Sequence, residues 1–260
     1  MSDIPASGVP EFAPVRLATL RAALALGWRD LRRAKRFALV LAGVYVAAGL
    51  ALSWITRATG QSFWLVLAAV GFPLVGPFAA VGFYEISRRL ARGEAPGWRP
   101  VFGVILRQSQ RQLPSLCAVM VLVFLFWFFL GHMIFALFLG LAPMTSISSS
   151  PEVFLSVNGL MMLGTGTLVG AGFAVLLYAI TVLALPLLLD REVDFVTAMI
   201  VSVQYVLAHP VLMLAWGALL AGLTFLALLP GFLGLFLVLP WLGHASWHLY
   251  ALLRGGADPA

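Results

Sequence analysis

The sequence predicts an all-α, polytopic membrane helix bundle: six transmembrane helices with interfacial helices on the cytoplasmic side. Three observations predict it. Hydrophobic residues fill 62% of the 260 positions and charged residues 10%, where a soluble domain carries about 25% charged residues. The apolar residues are gathered in blocks, each near the roughly 20 residues that cross a hydrocarbon core. Those blocks are continuous, whereas the strands of a membrane barrel alternate polar and apolar positions.

Residues 1–36 read as a cytoplasmic N-terminal segment. Within it Leu17, Leu20, Leu24, Trp28 and Leu31 recur at helical spacing and make an apolar stripe, with Arg29, Arg33 and Arg36 on one flank. This is the pattern of a basic amphipathic helix. It either lies in the interface with its arginines at anionic headgroups or packs on the bundle from the cytoplasmic side. Asp3 and Glu11 precede it, and no cleavage pattern follows a short apolar core. The first span is therefore expected to serve as an uncleaved insertion signal.

The membrane domain is expected over residues 37–253, with a short cytoplasmic tail at 254–260. Its spans are expected at Phe37–Ile55, Phe63–Glu85, Pro114–Leu141, Leu160–Leu189, Val211–Leu229 and Gly231–Leu253. In that threading fifteen of the 16 Lys and Arg residues fall on one side, and Arg57 alone on the other. The positive-inside rule then puts both termini in the cytoplasm. The same threading explains the net charge of +6 without nucleic acid as a partner.

Two stretches share one plan. A span ends near Glu85, a charged turn follows, a short helical segment starts at Trp98, and Pro114 opens the next span. Again, a span ends at Leu189, a charged turn follows, a segment starts behind Asp194, and Pro210 precedes the next span. Asp194 is suited to cap that second segment. The repeat is parallel, as in some transporters. The first helix with its basic segment, and the sixth helix, would supply the halves of a third unit. Gly71, Gly76 and Gly82 in the second helix, and Gly164, Gly166, Gly170 and Gly172 in the fourth, suit close helix packing. Pro77 and Pro186 are expected to kink their helices. Glu85 and Arg89 are spaced as an i,i+4 pair, which contributes little when exposed.

His244 and His248 stand four apart in the last span, so they share one helical face. Ionisable groups in a bilayer mark either a function or a satisfied contact. A metal would need a third ligand at matching depth. His132 lies toward the opposite end of its own span, and His209 stands in an interfacial His-Pro turn. The expectation is interhelical polar contact by His244 and His248, with Trp241, Trp247 and Tyr250 as headgroup-level anchors. No metal site and no cofactor are expected. Cys117 is alone, which leaves no disulfide framework. No phosphate-binding glycine loop, Cys-x-x-Cys or His-Glu-x-x-His occurs, so no catalytic residues are assigned.

The runs Gly76-Pro77-Phe78-Ala79, Tyr84-Glu85-Ile86-Ser87-Arg88-Arg89, Pro186 to Arg191, Asp194 to Met199 and Gly243-His244-Ala245-Ser246-Trp247-His248-Leu249-Tyr250 resemble a family of bacterial integral membrane proteins, domain of unknown function 2189. The similarity runs from about Arg32 to Leu253, and it implies a six-helix membrane protein with no established activity. The expected function is a non-catalytic scaffold or accessory subunit. Its partners would be membrane lipids with anionic headgroups, or another membrane protein. A small-solute permease built on the parallel repeat is the alternative, and a histidine-based metal or haem protein a distant third. Two histidines on one helical face cannot bind both axial sides of one haem.

Overall fold

In the computed structural model, residues 6–60, 64–140 and 152–255 are described, 6–7 and 64–75 by their backbone. Among the described residues the chain is all-α apart from two residue pairs. Its helices are α1 (Leu17–Arg33), α2 (Lys35–Thr59), α3 (Trp64–Ala91), α4 (Trp98–Ser109), α5 (Leu113–Leu139), the single turn α6 (Glu152–Leu155), α7 (Val157–Thr181), α8 (Ala184–Asp190), α9 (Phe195–Ala208), α10 (Pro210–Leu228) and α11 (Leu235–Gly255). Strands β1 (Ala6–Ser7) and β2 (Arg191–Glu192) pair in parallel. The polar loop expected at Pro143–Glu152 lies outside the described residues except for Glu152, and so do parts of both termini.

Among the described residues, four helical stretches have the length and hydropathy of a membrane span: α2, α5, α7 with α8 as one 34-residue stretch, and α10. Their apolar faces remain largely uncovered by protein, as lipid-facing helices require. Helices α3 and α11 are long enough at 28 and 21 residues. Helix α11 carries two histidines, two tryptophans and Pro240.

Local sequence sets the boundaries. Proline stands in the first turn of both α5 and α10, where its missing N–H is one the helix could not bond anyway. The Asp194 carboxylate accepts from the Thr197 amide at 2.9 Å, and that cap starts α9. The Thr197 hydroxyl and amide hold this carboxyl below its ordinary range. Pro186 cannot donate to the Val182 carbonyl, and the helix breaks at Val182 and Leu183. The Leu183 amide instead donates to Ser202 Oγ of α9 at 3.1 Å. In contrast, α3 runs unbroken through Pro77.

The span, short helix, span plan holds in α3–α4–α5 and in α7/α8–α9–α10. A third such group is assembled from the two ends of the chain: α1 packs along α11, and α2 packs on both. The segment before α1 laces the ends together. Ala13 donates its amide to the Leu253 carbonyl at 2.9 Å and accepts from the Tyr205 hydroxyl at 2.7 Å. The Phe12 ring stands edge-on to Tyr205 and Tyr250.

Two packing expectations are corrected. A Cβ placed at Gly164, Gly166 or Gly172 would meet nothing within 4 Å, so these glycines do not seat a neighbouring helix. Of the glycines expected to pack, Gly82 and Gly170 do meet neighbours, a Cβ there lying 3.2 Å from Leu41 and 3.1 Å from Trp127; the tighter approaches are at Gly27, Gly49 and Gly243. The Glu85 carboxylate, expected at the surface, is fully buried.

Candidate functional site: a buried polar cluster joining the first and last helices

Helix α1 buries Leu20, Ala23, Gly27, Asp30 and Leu31, a stripe shifted from the expected one; Leu17 is exposed. Gly27 is the point of closest approach. A Cβ there would lie 2.6 Å from the backbone nitrogen of Ala245, so α1 and α11 touch backbone to backbone. That approach carries Asp30, one turn further on, into contact with α11.

Asp30 Oδ2 accepts from His248 Nε2 at 2.6 Å. One turn earlier on α11, His244 Nδ1 lies 2.8 Å from Ser87 Oγ of α3. Ser87 also faces Asp30, so the four side chains form one cluster across three helices. Ser87 and His244 are fully buried, Asp30 is 1% exposed and His248 6%. Burial alone would raise the Asp30 carboxyl. The hydrogen bond and charge of His248, together with the Ser87 hydrogen bond and the charge of His244, outweigh it and hold the carboxyl below its ordinary value of 3.8. The rim is aromatic: Phe83 meets His244 edge-on, and Trp28 meets Trp241. Trp241 Nε1 also donates to the Leu24 carbonyl at 3.0 Å.

Two more carboxylates are clamped nearby. Glu85 takes Arg88 at 2.7 Å and Arg89 at 2.8 Å. Asp190 accepts from the Tyr250 hydroxyl at 2.8 Å and from the Arg254 guanidinium. Thus Asp30, Glu85 and Asp190, one from each helical group, are each held by protein donors.

The arginines singled out from sequence stand apart from this cluster. Arg29, Arg33 and Arg36 are exposed, and so are Arg32 and Lys35 between them. Arg29 Nε is 3.8 Å from Asp30 Oδ1, and the Arg32 guanidinium lies over the Trp28 ring. His132 is exposed, with Nδ1 at 2.8 Å from the Phe128 carbonyl, and His209 stacks on Tyr205. The histidines are thus not brought together beyond His244 and His248. Among the described residues no three His, Cys, Asp or Glu side chains converge as metal ligands.

Sequence reasoning missed Asp30 and Ser87. Asp30 carried a signal: it is an acid three residues after Gly27, in register with the buried stripe. Ser87 carried none, since its partner is 157 residues away.

A family model described as predicted integral membrane protein (DUF2189) matches residues 65–190. Over that stretch, from α3 to the end of α8, the chain is similar to this family of predicted integral membrane proteins. No curated protein and no solved structure matches the chain.

Proposed function

We propose that this integral membrane protein is a non-enzymatic scaffold or accessory subunit that holds anionic lipid headgroups on a basic cytoplasmic face. In this reading α3 and α11 complete six spans, the membrane is a bacterial inner membrane, and both termini are cytoplasmic. The observation that carries it is the inward turn of Asp30. The one acid between Arg29 and Arg36 pairs with His248, so the outward face presents Arg29, Arg32, Arg33, Lys35 and Arg36 without an intervening negative side chain. Each basic residue at an anionic surface contributes about 1 kcal/mol. A second membrane protein with an acidic face would meet the same surface.

The test uses the full chain in nanodiscs of phosphatidylglycerol and phosphatidylcholine. Lipids retained after detergent exchange are identified by native mass spectrometry. Phosphatidylglycerol should be enriched, and the triple substitution Arg29→Gln, Arg33→Gln and Arg36→Gln should remove the enrichment. Equal retention of both lipids by the unsubstituted protein would sink the proposal.

A further inference from the structure

A cavity of about 470 Å³ lies between α2, α3, α10 and α11. Its size is that of a small-molecule site, yet its walls are mostly apolar, with Tyr45, Tyr84, Thr224 and Ser246 the hydroxyl-bearing residues among them. Ions, sugars and peptides find no partners there. The cavity is also elongated. It spans Gly76 to Tyr84 on α3 and Leu235 to Ser246 on α11, about 12 and 16 Å at the helical rise. That is near half of the roughly 30 Å hydrocarbon core. Left empty, such walls would forfeit dispersion contacts along their whole length. At this depth the surrounding solvent is acyl chain, not water.

One residue of the cavity wall is held in an unusual way. Phe232, in the turn between α10 and α11, has φ +69, a backbone region that a bulky side chain rarely adopts. Its ring presses on Gly49 of α2, where a Cβ would lie 2.8 Å away. The left-handed backbone and the bare glycine together set an aromatic ring against the cavity. Strain of this kind persists where the surroundings over-determine it, and it gathers at ligand clamps. Gly76, opposite, leaves space: a Cβ there would meet nothing within 4 Å.

We infer that this cavity is a binding slot for one acyl chain of a bilayer phospholipid, with Phe232 as the stop that the chain abuts. The inference rests on the six-span reading, because α3 and α11, which carry the long walls, must cross the membrane beside α2 and α10. It does not need the basic face, because the chain and not the headgroup is recognised inside the bundle.

The full chain is reconstituted in phosphatidylcholine vesicles containing a phosphatidylcholine with a diazirine on one chain. After irradiation, adducts are mapped by peptide mass spectrometry. Adducts are expected at Thr224 and Leu239 inside the cavity, as well as at Leu226, which is exposed on α10. Gly76→Phe puts a ring into the slot and should lower the cavity adducts roughly tenfold, since a close-packed interior admits no second occupant. The Leu226 adducts should stay, and Gly172→Phe, in open space away from the slot, should change neither. If Gly76→Phe does not fold, Ala80→Phe on the same wall replaces it. Absence of cavity adducts, or cavity adducts that survive a folded filling variant, would overturn the inference. The zwitterionic lipid keeps this outcome separate from any failure of headgroup binding.

Discussion

Removing the His248 imidazole takes from the buried Asp30 carboxylate its closest donor and leaves only Ser87 and the more distant Arg29 beside it. Interhelical polar contacts in membranes average about 0.6 kcal/mol, but breaking one side of a buried ion pair costs about 3–5 kcal/mol. His248→Leu should therefore lower the thermal midpoint far more than His244→Leu, whose partner is the neutral Ser87. Glutamine at His248 keeps a donor and should recover much of the loss. Adding Asp30→Leu to His248→Leu should also recover stability, because the orphaned charge is gone; thermal scans in detergent read all four variants. Acid acts on the same pair. Asp30 is held below its ordinary value of 3.8, so its stabilisation is present above that value and is lost as pH falls through the folded value. Asp30→Asn should flatten the stability profile in that acidic window. A profile unchanged by Asp30→Asn would show that the carboxylate is not ionised in the folded protein.

At the scale of elements, the contact between α1 and α11 hangs on one missing side chain. A Cβ at Gly27 would lie 2.6 Å from backbone of Ala245, and backbone cannot yield as a flexible side-chain tip can. Gly27→Ala should push the helices apart and cost about 1–3 kcal/mol, the usual range for overpacking. The separation would also draw Asp30 away from His248. Amide hydrogen exchange in α1 should accelerate in this variant while α5 and α7 stay unchanged. Protection unchanged in α1 would mean that the helix is held chiefly by the N-terminal strap at Ala13. Glycines cannot be ranked by sequence alone. The cluster in α7 looks like a packing motif, yet three of its members face open space, and isolated Gly27 and Gly243 bear the tight contacts.

For the whole molecule, the threading proposed from charge makes a direct prediction. Reporter fusions after Arg254 and within Arg88–Gln112 should read cytoplasm, and fusions within Pro143–Glu152 should read periplasm. A periplasmic C-terminus would show an odd number of spans. Composition and block length by themselves determined the all-α class and residence in a membrane, because the cost of unpaired backbone in lipid admits few alternatives. Local chemistry also fixed where α9 starts and where α5 and α10 open, since a cap or a proline acts within one turn. The contacts of the polar cluster were decided only by tertiary structure. Ser87 meets His244 across 157 residues and Asp30 meets His248 across 218. Glu85 is buried for the same kind of reason: its i,i+4 spacing fixes its arginine partner but not whether another helix covers the pair. Periodicity tells which residues share a face of one helix. Which face meets which neighbour depends on how the chain ends return to complete the third helical group, and no local pattern encodes that.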